Sequence, residues 1–236
     1  MATPRLAELP PSQSGWVEID TQRQRLRWWQ GKEVNYECAI STGVAGVGQQ
    51  EGSGQTPLGW HYVRASIGKG LPDNAVFRGR RWTGEVFSPE LATNYPERDW
   101  ILTRIMWLCG LERGVNRGAD VDSQRRYIYL HGTPEDQPMG VAASHGCIRL
   151  NEPFDFAYAL LAWQVDDPEG FFKSKLNTGL ETKVDLKKPL PVHLIYRTAM
   201  SQAKGQMTYR RDVYGRDAKI WDALAREGVE LRGVQG

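Results

Sequence analysis

The chain has 236 residues, room for one generous domain or two cramped ones, with 40% hydrophobic, 25% charged and 10% aromatic residues. That composition excludes a disordered tail, a collagen and a coiled coil. Lys and Arg total 30 against 28 Asp and Glu, a net charge of +2, too balanced to imply a nucleic-acid or bilayer surface from charge alone.

Residues 1–14 read as an extended N-terminal segment. They hold no basic stretch followed by an apolar one, and no run in the chain approaches the roughly 18–20 apolar residues that span a bilayer. The expectation is a cytoplasmic protein without a membrane span, or a periplasmic one if a leader has been removed. From Gly15 to Ile40 apolar residues recur with period two: Val17 and Ile19, Leu26 and Trp28, then Val34, Tyr36, Cys38 and Ile40, with Gly31 and Lys32 at a turn. This predicts three antiparallel strands. Residues 42–59 carry six glycines and read as a mobile connection that re-enters a strand at Trp60–Ala65. A phosphate-binding loop is disfavoured, because no G-x-x-x-x-G-K-[ST] occurs and no helix pattern follows.

Residues 66–100 show little periodicity and read as a long ordered surface loop, with Arg78, Arg80, Arg81 and, further on, Arg126 as a solvated basic face. Ile101–Cys109 and Tyr127–His131 read as strands, the second with Ile128 and Leu130 on one side and Tyr127, Tyr129 and His131 on the other. After Asn151 a helix is predicted, with Phe156, Leu160 and Trp163 on one face and Pro168 as its end. Pro191–Tyr196 and Met207–Arg211 read as a hairpin around Lys204 and Gly205, followed by a short helix from Asp217. No internal repeat or low-complexity tract occurs. The fold class is mainly β, one domain with two helices late in the chain, its body at 15–165 and an extension at 166–236 packed on it.

The chemistry concentrates in Ser144-His145-Gly146-Cys147-Ile148-Arg149-Leu150 and in His131-Gly132 upstream. A cysteine attacks carbonyls only as the thiolate, so a catalytic cysteine needs a base or cation nearby. His145 is only two residues from Cys147, whereas His131 can fold back onto it and is the better base. Gly146 lets the main-chain N–H groups of Gly146 and Cys147 crowd a developing oxyanion, which favours acyl transfer. Gly132 lets a carbonyl approach His131 and fix its tautomer. Arg149 offers a two-pronged donor to a substrate carboxylate, with Ser144 and Tyr129 as further substrate contacts.

Three cysteines, Cys38, Cys109 and Cys147, cannot all pair, so at least one thiol is free; Cys38 and Cys109 read as buried hydrophobes. Cys147, His145 and His131 fall short of the four ligands of a closed zinc site, and Cys38 and Cys109 add no C-x-x-C spacing. No metal or organic cofactor is expected. His61 and His193 lie in strand patterns and read as core or edge histidines.

The His-Gly pair, eleven residues and the SHGC box together resemble the signature of the L,D-transpeptidase (YkuD) catalytic domain. Thr56-Pro57-Leu58-Gly59, Arg98–Ile105 and Tyr127–His131 extend the likeness over most of residues 15–165, toward a short branch often found without an export signal. Pro191–Ala199 and Tyr209–Asp217 are similar instead to the ending of the larger periplasmic members. The resemblance implies a β-sandwich or barrel with a few peripheral helices. It implies that Cys147 is the nucleophile, His131 its base and the backbone of His145–Cys147 the oxyanion hole. The substrates implied are peptidoglycan stem peptides or soluble muropeptides, and carbapenem-type β-lactams are implied covalent inhibitors. Transfer of the acyl group to an amine makes a cross-link; transfer to water makes an L,D-carboxypeptidase. A non-catalytic cell-wall binding module is the alternative from another class.

Overall fold

In a computed structural model, the described residues are 15–153, 183–184, 190–196, 199–201, 207–209 and 214. They fall in two compact units, Met1–Ile195 and Tyr196–Gly236. The helices expected after Asn151 and from Asp217 lie outside the described residues.

The first three strands form where alternation places them: β1 (Trp16–Asp20), β2 (Arg25–Gln30) and β3 (Glu33–Ser41), paired antiparallel. Gly31, at φ 61°, makes the β2–β3 turn, a conformation that costs glycine nothing. Next come β4 (Gly59–Ile67), β7 (Ile101–Gly110), β8 (Tyr129–Gly132), β9 (Ile148–Leu150) and β11 (Leu190–Ile195). These join the first three in a closed circuit, β4–β11–β1–β2–β3–β9–β8–β7, with β7 pairing back to β4. Two neighbours, β1–β11 and β8–β9, are parallel and the others antiparallel. A ring of about eight strands encloses just enough space for side chains. It is filled from every strand by Val17, Ile19, Leu26, Ile40, Val63, Met106, Leu108, Leu130, Ile148, Leu150 and Val192 among others, nearly all fully buried. Truncating one of them, as in Leu130→Ala, costs about 2–5 kcal/mol through lost burial and a residual cavity.

Two expectations are corrected. Residues 66–100 are not an irregular loop: they hold a hairpin, β5 (Ala75–Arg78) and β6 (Arg81–Val86), then helix α1 (Pro89–Asn94). The hairpin turns on Gly79 and Arg80, both left-handed at φ 55° and 67°. Without an Asn-Gly or Asp-Gly pair, and with an exposed β6, neither turn nor alternation advertises it. The Ser88 hydroxyl caps α1 by accepting from Leu91 N (3.1 Å). Second, Leu190–Ile195 does not pair with Met207–Tyr209 among the described residues; it is inserted between β1 and β4, where Val192 lies opposite both Val17 and His61. In the second unit β12 (Ala199–Ser201) pairs antiparallel with β13 (Met207–Tyr209), while the expected turn at Lys204 and Gly205 lies outside the described residues. A remaining short strand, β10 (Lys183–Val184), extends β4.

Candidate active site

Strands β8 and β9 run parallel, with Leu130 opposite Ile148 and His131 opposite Arg149. Alternation sends Leu130, Ile148 and Leu150 into the barrel, so Tyr129, His131, Cys147 and Arg149 share its outer face. Cys147 packs there against the cluster of Ile105, Phe77 and Tyr129. It lies one strand over from His131, in the bend just before β9.

The thiol of Cys147 donates to the Tyr127 carbonyl at 3.4 Å. Among the described residues no hydrogen bond joins it to His131. Burial pushes the thiol up to about 12; the Tyr129 backbone, Arg149 and Arg126 act downward and Asp99 upward. The resting group is therefore a neutral thiol. His131 is buried, and its Nδ1 lies 2.7 Å from the Gly132 carbonyl. A carbonyl only accepts, so Nδ1 carries the proton and Nε2 keeps its lone pair. Burial holds this imidazole below its ordinary value, with the Gly132 carbonyl and Asp99 opposing, so it rests neutral.

Gly132 and Gly146 also have packing reasons that the sequence does not reveal. A Cβ on Gly132 would lie 2.6 Å from the Leu102 carbonyl oxygen, and one on Gly146, where φ is 117°, would lie 3.0 Å from that of Gln55. The glycine-rich segment presses against the nucleophile turn at this point. It is stitched there by hydrogen bonds: Gly43 N donates to Thr56 Oγ1 (2.8 Å), which donates to the Gly146 carbonyl (3.0 Å), and Val44 N donates to the Ser144 carbonyl (2.9 Å). The Ser144 hydroxyl donates to the Cys147 carbonyl (2.6 Å) and accepts from Gly146 N (3.1 Å). Ser144, expected on substrate, is thus a buried staple of the turn, and it occupies the Gly146 N–H expected in the oxyanion hole. Among the described residues no hydrogen bond uses the N–H of His145 or of Cys147. The His145 side chain is exposed and sits 3.4 Å from Asp99 Oδ2.

Arg149 is nine-tenths buried and pairs with Asp99 Oδ1 at 3.0 Å. Its Nη1 donates to the Ala143 carbonyl (3.1 Å) and Gln137 Oε1 (3.3 Å), while Nε–H is buried and has no partner among the described residues. Asp99, Arg149, His145 and Trp100 line a cavity of about 330 Å³. Tyr129 is buried, and its hydroxyl accepts from Arg80 Nη1 (3.1 Å).

Three residues that sequence reading left aside therefore belong to this site. Asp99 carries no signal of its own beside a Trp. Arg80 and Arg126, expected on a solvated face, are half-buried: Arg80 stacks over Trp107 and Tyr127 at 4.5 and 4.8 Å to the ring centroids, and Arg126 binds loop carbonyls. Only the folded hairpin and loop bring these groups to Cys147. His61, read as a core or edge histidine, is fully buried, with Nδ1 at 3.0 Å from the Gly59 carbonyl and Nε2 at 2.8 Å from Ser123 Oγ.

The model of the L,D-transpeptidase catalytic domain, YkuD, matches residues 14–168. Among curated proteins none matches the chain. Solved structures similar to it include an L,D-transpeptidase (residues 123–326) from Xylanimonas cellulosilytica, with 18% identity, 83% of this chain and 64% of that one covered, and a TM-score of 0.38. L,D-transpeptidase 3 from Mycobacterium tuberculosis, solved with a faropenem-derived adduct, shows 15% identity, 76% and 59% coverage and a TM-score of 0.36. An LD transpeptidase in complex with imipenem shows 14%, 77%, 58% and 0.33 in the same order. The chain spans less than two thirds of the length of each of these three.

Proposed function

Because the chain belongs to the L,D-transpeptidase catalytic domain family, we propose that it is a cysteine acyltransferase acting on peptidoglycan stem peptides. The observation that carries the reading is a neutral imidazole, its Nδ1–H committed to the Gly132 carbonyl and its Nε2 lone pair free, on the same sheet face as Cys147. The reaction starts as the thiol turns from the Tyr127 carbonyl toward His131, which accepts its proton at Nε2. The thiolate attacks the carbonyl between the L-centre of a diamino acid and the terminal D-alanine. The N–H of Cys147, with that of His145 beside it, receives the oxyanion. Collapse returns the proton from His131 to the departing D-alanine amine and leaves a thioester on Cys147. An amine of a second stem then displaces the sulfur and closes a cross-link.

Arg149 suits the terminal carboxylate of the donor stem. An N–H buried without a partner costs about 1–3 kcal/mol, a cost that a carboxylate bound at the Nε edge removes. The β-lactams bound to the imipenem and faropenem relatives present an acyl group to a nucleophile in the same way, so such compounds are proposed as covalent inhibitors of this chain. Incubation with a disaccharide tetrapeptide tests the reading. A cross-linked dimer with release of D-alanine supports transfer, tripeptide alone assigns hydrolysis of the same thioester, and recovery of intact tetrapeptide refutes the function.

A further inference from the structure

Arg80 has no role in the steps above, yet its guanidinium stands among the sulfur's own neighbours. It lies 4.5 Å from the centroid of the Trp107 ring and 4.8 Å from that of Tyr127, and its Nη1 donates to the Tyr129 hydroxyl (3.1 Å). The Tyr127 carbonyl accepts from the Cys147 thiol, and Cys147 packs in one apolar cluster with Tyr129 and Trp107. Each residue that Arg80 touches thus borders the nucleophile. Arg149 approaches the site from elsewhere, opposite His131 on β9 and beside Asp99.

Two features set Arg80 apart. It and Tyr127 are both held left-handed, at φ 67° and 57°, a region that bulky side chains rarely occupy and that persists where the surrounding structure imposes it. The stack forms between these two strained residues. The charge is also left open: among the described residues no carboxylate lies within ion-pair distance of Arg80, and the groups that bear on it are the Tyr129 and Tyr127 hydroxyls. Arg98 and Arg149, by contrast, are paired with Glu85 and Asp99. With rings against the guanidinium and one N–H on a hydroxyl, the rest of the half-exposed fork is available to a planar anion.

A donor stem presents the terminal carboxylate of D-alanine and, where its diamino acid carries one, a second carboxylate at the end of that side chain. Arg149, nine-tenths buried beside its cavity, suits the first. We propose that Arg80 is a specificity-determining residue that binds the second, so that the protein favours donor stems whose diamino acid ends in a free carboxylate over those in which that group is an amide. This rests on the reading of the chain as an acyltransferase of stem peptides and deepens it.

The test compares two disaccharide tetrapeptides, identical except for a carboxylate or a carboxamide at the end of the diamino acid side chain. Their Kd values are measured by calorimetry on Cys147→Ala, which consumes neither. The expected preference for the free acid is about tenfold, as a charge-assisted pair at a half-exposed site supports. Adding Arg80→Gln, with the fold checked by near-ultraviolet circular dichroism, shrinks the preference to about twofold or less. Adding Arg81→Gln, which removes the same charge from the adjacent exposed position, leaves it in place. Equal Kd values in Cys147→Ala, or no binding of either stem, overturn the proposal, and that result needs no change at Arg80. A preference that survives Arg80→Gln, or that falls as far in Arg81→Gln, overturns it as well. The acyltransferase reading fails separately, when the protein with Cys147 intact releases no D-alanine from either stem although the preference in binding is present.

Discussion

The thiol of Cys147 donates to the main-chain carbonyl of Tyr127, 3.4 Å away, and among the described residues it has no hydrogen bond to the imidazole that shares its sheet face. The resting site is thus closed down twice, by burial that raises the thiol to about 12 and by a hydrogen bond that holds its proton. A thiol acid of that strength is almost wholly protonated at neutral pH, and its thiolate fraction rises tenfold per pH unit below the pKa. On the proposed mechanism, activation comes with substrate, through rotation of the sulfur toward His131.

His131→Gln is expected to slow acylation by about 10²–10⁴, the usual contribution of a positioned general base. Single-turnover release of D-alanine measures it, with circular dichroism confirming the fold. Acylation at the parental rate would remove His131 from the mechanism.

Replacing Asp99 by Asn separates two effects of one carboxylate. Asp99 disfavours the thiolate, so Asp99→Asn speeds alkylation of Cys147 by iodoacetamide. It also unpairs Arg149, so KM for a tetrapeptide rises because the guanidinium is no longer held in place. Slower alkylation in this variant would show that the carboxylate does not face the sulfur electrostatically.

Thr56→Val keeps the volume at a fully buried position but leaves Gly43 N–H and the Gly146 carbonyl without their partner. A loss of about 1–3 kcal/mol in urea unfolding is expected, together with a fall in kcat as the turn before Cys147 loosens. Unchanged stability would mean that the loop is not held there.

His61 predicts an acid limit. Burial lowers its pKa from 6.5 to about 4, so the folded state binds the neutral ring. Its contribution is complete above the unfolded value and is lost as pH falls through the folded one, about 3 kcal/mol in all. Thermal unfolding should therefore weaken from pH 7 to pH 4, and less steeply in His61→Gln. Identical pH dependence in the two proteins would contradict this; His131, also depressed by burial, accounts for part of the remainder.

What the sequence revealed and what it withheld follow a physical division. Val17, Ile19, Leu26 and Ile40 alternate, and Gly31 marks a turn, because those features are local; the first three strands were readable from them. His131 and Cys147 stood out because their residue types and spacing are unusual together, and the fold sets them on one sheet face; their roles are those proposed above. The insertion of β11 between β1 and β4 joins residues some 130 to 175 positions apart, and no local pattern encodes such a pairing. Asp99, Arg80 and Arg126 look like ordinary surface charges until the hairpin and the glycine-rich loop fold over the β8–β9 face. Gly146 stood out for its place before Cys147, whereas the close approach of the Gln55 carbonyl that requires a glycine there is tertiary.

The most direct measurement is the intact mass of the protein within seconds of mixing with a disaccharide tetrapeptide, followed by peptide mapping. An adduct equal to the substrate minus D-alanine, placed on Cys147 and absent from Cys147→Ala, is the expected result. Turnover by Cys147→Ala at the parental rate, or an adduct on any other residue, would contradict the assignment of Cys147 as the nucleophile.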